Sequence, residues 1–318
     1  MGLTLALPLD SQSVRREIQR AWLRFARRQH WAIGTLSPSS FQRVLPPLSS
    51  AQKRACAELG PWLPVYELAV QWLANVSIAL SSQDDRVIPT DKSLHVPWAL
   101  LGSAAHYSVA IRQLTALGFD SPARAQLRTL VESLLLCLAS LDDQSLAEEF
   151  QAATTDKEIK NFWHTRVSPK NLHLRVMNAE RRFGLPDDWI RTISRWRTEE
   201  HAVFSEAVHL SYVAAVVTVL SPDPGLGDEA RYGVLGKLTS NSERTLSYGA
   251  RTIWHFCILG GSYLFDEIGD RKPIFSLDQN NPLHQALIVT RHVLMEAVLD
   301  IWKAAENNKE NNKGSASH

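Results

Sequence analysis

Residues 122–141 read PARAQLRTLVESLLLCLASL, and this stretch decides the fold. Its apolar side chains recur every three or four positions, which is the spacing of one buried face on a helix. Pro122 fits the first turn of such a helix, and Gly118 fits the end of the helix before it. From Ser133 to Leu141 no polar face is left for water, so the second half of this helix is predicted to be buried on all sides.

Helical spacing continues along nearly the whole chain. Pro97, Pro169 and Pro282 also fit first helical turns, and Gly184 fits a helix end. No segment has the alternation of a strand or the turn of a hairpin. Besides 122–141, we predict helices over 14–33, 50–59, 64–82, 97–117, 145–164, 169–183, 187–196, 198–220, 228–265 and 282–306. The sequence therefore predicts an all-α fold, an irregular bundle of about ten helices with no sheet.

The composition is that of a soluble globular protein. Of the 318 residues, 45% are hydrophobic and 21% are charged. The 34 Lys and Arg residues almost balance the 33 Asp and Glu residues, so the chain as a whole does not attract nucleic acid and any such contact must be local. We predict a basic amphipathic helix and linker over 1–48, a single helical domain over 49–306 and a disordered polar tail over 307–318.

The cysteines and the apolar segments indicate a protein of the cytoplasm. Cys56, Cys137 and Cys257 are odd in number and widely spaced, and no C-x-x-C pair suggests zinc binding or redox exchange. The N-terminus lacks the core of a signal peptide, and the longest apolar run, 213–220, is far shorter than the roughly 20 residues of a membrane helix. We therefore expect cytoplasmic localisation, no membrane contact and no metal or other cofactor.

The N-terminal region carries a basic helix. Four arginines repeat every four residues along one ridge: Arg16, Arg20, Arg24 and Arg28. Residues 1–54 hold nine Lys or Arg residues against two acidic ones, so the remainder of the chain is acidic. Repeated guanidinium groups bind phosphate oxygens in pairs, which predicts contact with RNA or with an acidic protein surface. The alternative is a solvated face docked on the acidic remainder of the protein itself.

Two predicted helices carry polar side chains within apolar stretches. Arg128 and Glu132 lie one turn apart on the first, where a buried carboxylate needs a partner. Ser205, His209 and Tyr212 share a face of the second. If the two helices pack side by side, these groups form a buried Arg-Glu-Ser-His cluster, or else a network that only satisfies buried groups. The candidate catalytic residues are Arg128, Glu132, Ser205 and His209.

Two segments carry a family resemblance. The first reads AHYSVAIRQLTALGFDSPARAQLRTLVESLLLCLASLDDQSLAEEF, and the second, further on, reads FSEAVHLSY. They resemble an uncharacterised bacterial all-helical family with an R-x-x-x-E helix, an acidic loop and a later S-x-x-x-H motif. Thr129 replaces the serine that is usual after the arginine. The matching positions are Arg128, Glu132, Asp142, Asp143, Ser205 and His209. The resemblance implies a helical fold and the same polar cluster, without an established activity.

Three functions fit these features. The first is a soluble sensing or interaction module, which the resemblance extends to bacterial stress response or phage defence, and which also allows a homodimer. The second is metal-independent RNA cleavage of the helical HEPN type, in which an arginine stabilises the cyclising phosphate and a histidine moves the proton. That chemistry would use Arg128 with His209, or Arg166 with His173, whose spacing matches the HEPN motif. The third is a scaffold whose polar cluster is purely structural.

Overall fold

The chain divides into two units, Met1–Lys53 and Arg54–His318. The computed structural model describes residues 58–81, 88–89, 91–208, 240–267, 271–278 and 280–315, together with residues 27 and 238. Side chains of 203–208, 240 and 302–315 are not part of this description. The helices below therefore belong to the second unit. The predicted basic ridge of Arg16, Arg20, Arg24 and Arg28 lies outside the described residues.

The described part of the second unit is built from α-helices and contains no strand, which confirms the all-α prediction. It has nine helices where about ten were expected. They are α1 (Trp62–Ser81), α2 (His95–Ala116), α3 (Asp120–Asp142), α4 (Gln144–Ala152), α5 (Asp156–Thr165), α6 (Pro169–Phe183), α7 (Asp187–Val208), α8 (Ser240–Phe265) and α9 (Pro282–Ser315). A single 3-10 turn, Lys92–Leu94, leads into α2.

Helix α3 lies at the centre of this bundle. It packs against α2, α6, α7 and α8, so most of its surface meets another helix. Every residue from Leu136 to Leu141 is buried, as predicted, whereas Leu135 in the same stretch is only partly buried. Each fully buried leucine of this kind contributes about 1.5–3 kcal/mol relative to an exposed one. The sequence stretch that predicted the fold thus forms its core.

Helix α6 begins and ends where its sequence predicts. Pro169 occupies the first turn, where a missing N–H costs nothing. Gly184 follows the last turn with a φ of +89°, a backbone conformation that glycine adopts without steric cost. The N–H groups of Gly184 and Leu185 donate to the carbonyls of Arg181 and Glu180, at 3.0 and 3.1 Å. These bonds satisfy carbonyls that the end of the helix would otherwise leave unpaired.

The helix predicted over 145–164 is two helices, α4 and α5. Thr155 begins α5 as its N-cap: its side-chain oxygen accepts from the N–H of Glu158 at 3.3 Å, and the Glu158 carboxylate accepts from the N–H of Thr155 at 2.9 Å. This reciprocal capping box starts a new helix without any proline or glycine to mark the break. The prediction of one continuous helix was wrong for that reason.

Two further helix boundaries differ from the sequence prediction. Helix α7 continues through residue 197, where two helices, 187–196 and 198–220, were expected. Helix α9 continues to Ser315, beyond the expected end at 306 and through most of the segment predicted as a disordered tail, 307–318.

Helix α1 is the one helix in the described ranges that is long and apolar enough to cross a membrane. Half of that stretch is buried inside the protein. Tyr66, Trp72 and Leu73 have no exposed surface, so the apolar character of α1 is explained by core packing against α2, α8 and α9. This arrangement is compatible with a soluble protein.

Candidate functional site

An ion pair on α3 opens onto a cavity. Arg128 Nε donates to Glu132 Oε1 at 2.9 Å, one helical turn away. The two side chains are 27% and 30% exposed, so the prediction that Glu132 is buried on all sides was wrong. The reason is that this face of α3 forms part of the wall of a cavity of about 600 Å³. A volume of this size is typical of sites for small organic ligands.

Five helices and one turn form the wall of the cavity, which is open on one side to solvent. Helices α3, α5, α6, α7 and α8 contribute to the wall, as does the turn before α6. The wall contains one acidic side chain, three basic side chains and three histidines: Glu132, Arg128, Lys170, Arg197, His164, His173 and His201. Much of the remaining wall is apolar and includes Leu135, Trp163 and Leu172. Cations outnumber carboxylates in this wall, although Arg197 is paired with Glu180, which lies outside the wall. Together with the apolar side chains, these cations fit an acidic ligand with an apolar body.

Helical periodicity aligns these side chains. On α3, Arg128, Glu132 and Leu135 follow the spacing i, i+4, i+7, which brings them to one face of the helix. On α7, Arg197 and His201 are four residues apart and share a face in the same way. Two regular helices that pack against each other therefore both contribute polar residues to the cavity wall.

His201 is half-buried beside the α3 ion pair. Burial lowers the pKa of His201, and the positive charge of Arg128 lowers it further, while the charge of Glu132 opposes the shift. Since an ordinary histidine already titrates near pH 6.5, His201 is neutral at pH 7. A neutral imidazole can take up a proton when an anion or a reacting hydroxyl comes near.

His173 has a similar environment on α6. Burial lowers its pKa, the charge of Arg197 adds to the effect, and the charge of Glu180 opposes it. Its Nε2 lies 2.8 Å from the hydroxyl of Ser194 on α7, which fixes the orientation of the ring. The cavity thus holds at least two histidines that are neutral at pH 7 and able to accept a proton.

A buried charged triad supports the wall. Glu180 has no exposed side-chain surface, and Arg197 and His255 are each 5% exposed. Arg197 donates through Nη1 and Nη2 to the two carboxylate oxygens of Glu180, and His255 Nε2 lies 2.8 Å from Oε1. Burial by itself would raise the pKa of Glu180, but the hydrogen bonds and charges of His255 and Arg197 outweigh it and lower the pKa to about 2. The triad ties α6, α7 and α8 together.

The structure locates two of the four predicted catalytic residues in the cavity wall. These are Arg128 and Glu132. The side chain of Ser205 and the whole of His209 lie outside the described residues, so the predicted cluster of four stays a prediction. His201, eight residues before His209 in the sequence, was not among the candidates and is the α7 histidine found in the cavity wall.

The alternative pair, Arg166 and His173, is divided between two environments. Arg166 follows the last turn of α5 and donates twice to Glu149, with Nε 2.6 Å from Oε2. It does not belong to the cavity wall, whereas His173 does. The guanidinium of Arg166 is therefore engaged by a carboxylate, and its sequence spacing to His173 does not translate into a shared site.

Sequence reasoning missed the triad. His255 lies in the apolar run TIWHFCIL, residues 252–259, and a buried histidine there requires a polar partner, which was the available signal. Arg197 follows Arg191 and Arg195 in a charged segment and resembles an exposed residue for that reason. Its partner Glu180 is 17 residues away on another helix, and no local spacing connects the two.

Comparison of the chain with models of protein families, with curated proteins and with solved structures gave no match. The function is therefore argued from the cavity itself.

Proposed function

We propose that the chain is a cytoplasmic sensing module whose cavity binds a small molecule beside Arg128 and Glu132. One observation carries the proposal: a half-buried ion pair shares a cavity of about 600 Å³ with three histidines, two further cations and an apolar wall. An ion pair that is only half-buried contributes little to stability by itself. A purely structural role therefore does not explain this concentration of polar groups. The resemblance to a bacterial helical family supports a role in stress response or phage defence.

The output of such a module would lie elsewhere in the chain. The basic ridge of Arg16, Arg20, Arg24 and Arg28 supplies positive charge for RNA or an acidic protein surface. Occupancy of the cavity would then change what this ridge, or a second copy of the chain, contacts.

Mass spectrometry of what copurifies with the native full-length protein tests the ligand site. We expect a small molecule with wild type and at least about tenfold less of it with Arg128→Ala, because a lost charge-assisted hydrogen bond costs about one decade or more of affinity. The matched control is Arg112→Ala. Arg112 pairs with Glu67 between α1 and α2, with Nε 2.9 Å from Oε1, and is not part of the cavity wall.

The control should retain as much ligand as wild type. Equal occupancy in wild type, Arg128→Ala and Arg112→Ala would contradict the proposal. So would native protein that carries no small molecule and binds none from a cell extract passed over it.

A second candidate is metal-independent cleavage of RNA, favoured by the neutral imidazole of His201 beside Arg128. His201 would take the proton of a 2′-hydroxyl, whose oxygen attacks the adjacent phosphorus. The bond to the 5′-oxygen then breaks, a cyclic phosphate forms, and the leaving oxygen takes a proton from water. Arg128 would stabilise the charge on the phosphate.

Single-stranded RNA incubated with purified protein in the presence of a chelator tests this reaction. We expect His201→Gln and Arg128→Gln each to slow cleavage by about a hundredfold or more, and Arg112→Gln to leave it unchanged. Intact RNA after incubation with wild type, or equal cleavage by all four proteins, would eliminate this candidate and leave the sensing proposal standing.

A further inference from the structure

Arg197 has one donor edge that no group among the described residues uses. Its Nη1 and Nη2 atoms bind Glu180, which occupies the end of the guanidinium. Its Nε is buried and has no hydrogen-bond partner in the part of the chain that the structure describes. A guanidinium is planar and carries five N–H donors. The Nε–H group and the N–H of Nη2 on the same side form a second edge, the side edge, with two parallel donors.

A buried N–H without an acceptor is costly, and such groups are uncommon in folded proteins. Arg197 is 5% exposed and belongs to the cavity wall. Because Arg197 is part of this wall, an acceptor bound in the cavity would reach this edge once the side chains that cover Nε shift. Two parallel donors match two oxygens of one carboxylate or phosphate, the partners that guanidinium groups bind in a bidentate manner.

We propose that the cavity binds a small organic acid whose carboxylate or phosphate oxygens are held by the side edge of Arg197 and whose apolar body lies against Leu135, Trp163 and Leu172. This inference rests on the proposed ligand site and names the chemical class of its ligand. It also assigns the anchoring contact to a residue of α7, in addition to the ion pair on α3.

The triad prepares Arg197 for this role. Glu180 on α6 holds the guanidinium and is itself held by His255 on α8, so little side-chain freedom is lost when a ligand binds. Glu180 also neutralises Arg197, which means that the charge of the ligand must be balanced by other groups. Lys170 lies in the same wall, and His173 can become protonated there.

Calorimetric titration of the full chain with four probes tests the ligand class. Phenylphosphonate and benzoate combine an oxyanion with an apolar ring, inorganic phosphate lacks the ring, and benzamide has the ring without the charge. We expect one or both aromatic acids to bind at least about tenfold more tightly than benzamide and than inorganic phosphate. The comparison between the two acids distinguishes a phosphate from a carboxylate ligand.

Arg197→Lys tests the contact, because lysine keeps a positive charge for Glu180 but has no side edge. We expect it to weaken binding of the preferred acid by about tenfold or more, whereas Arg112→Lys leaves binding unchanged. If Arg197→Lys does not fold, wild-type protein with nitrogen-15-labelled arginine replaces it. A protected Nε–H resonance should then shift on addition of the acid and not on addition of benzamide.

These experiments distinguish failure of the ligand site from failure of the Arg197 contact. If an acid binds in a manner that depends on Arg128, while Arg197→Lys has no effect and no arginine Nε–H resonance moves, the ligand site stands and the Arg197 contact is overturned. If benzamide binds as tightly as both acids, the class of ligand is wrong. If no probe binds, and native protein carries no small molecule, both proposals are overturned together.

Discussion

Glu180 illustrates how much depends on a single buried carboxylate. It has no exposed side-chain surface, yet it stays ionised because Arg197 and His255 both contact it. Charges taken out of water are stable only when each has its partner, so the contribution of the triad cannot be divided among its members. The same carboxylate decides which edge of Arg197 is left to face a ligand.

Glu180→Gln tests this residue. We expect it to lower the free energy of unfolding by about 3–5 kcal/mol, because Arg197 would remain buried without a countercharge. Urea denaturation followed by circular dichroism measures the change. Glu67→Gln is the matched control, since Glu67 belongs to the exposed pair with Arg112, and a loss below about 1 kcal/mol is expected there. Similar losses in both variants would show that the triad is not a special support.

Helix α6 shows how an element positions the site. It carries His173 and Glu180 seven residues apart, two helical turns along one side, so a single helix supplies both a cavity histidine and the centre of the triad. The two ends of α6 fix the positions of His173 and Glu180. Pro169 sets the start and Gly184 the end, and a shift of the helix would move both groups together.

Gly184→Ala probes the end of α6. Alanine at a φ of +89° is strained, while no other atom lies within 4 Å of the added Cβ, so we expect a loss of about 1 kcal/mol from backbone conformation alone. The contrasting control is Gly102→Ala in the middle of α2, where the new Cβ would lie 3.4 Å from the hydroxyl of Ser77. There we expect a gain of about 0.5–1 kcal/mol. Thermal unfolding should show opposite signs, and equal signs would contradict the argument.

Sequence patterns predicted the helices better than they predicted the residues of the site. Pro169 and Gly184 are strong local signals, and α6 was predicted with its observed bounds. Thr155 was missed because a capping threonine in mid-segment resembles any exposed threonine until its bond to Glu158 is seen. Arg128 with Glu132 could be found because their spacing is local. The triad could not, since Glu180, Arg197 and His255 meet only when three helices pack.

Protonation links the cavity to the stability of the whole molecule. Burial lowers the pKa of His173, His201 and His255, so each favours the folded state while it is neutral. Their contribution is complete above the pKa of an unfolded histidine, about 6.5, and is lost as pH falls through the lower folded values. Glu180 adds a second pH range over which stability changes. Its pKa of about 2 gives stability that is present above about 4.5 and lost as pH falls toward 2.

The melting temperature of the full chain should therefore fall in two steps, first as pH falls below about 6.5 and then as it falls below about 4.5. His255→Gln keeps an N–H group for Glu180 but cannot titrate, so the first step should become smaller even if the variant is less stable throughout. His106→Gln, at an exposed position on α2, should follow wild type. Differential scanning calorimetry across this range measures both steps.

Ligand binding should show the same linkage with the opposite sign. An anion in the cavity favours the protonated form of His173, so binding of benzoate, which itself stays ionised in this range, should take up protons and tighten as pH falls from 7 to 6. Calorimetry in two buffers of different ionisation enthalpy gives the number of protons directly. Proton release, or an affinity independent of pH, would mean that the histidines do not face the bound anion, and that the cavity and the acid sensitivity of the fold are separate properties of the molecule.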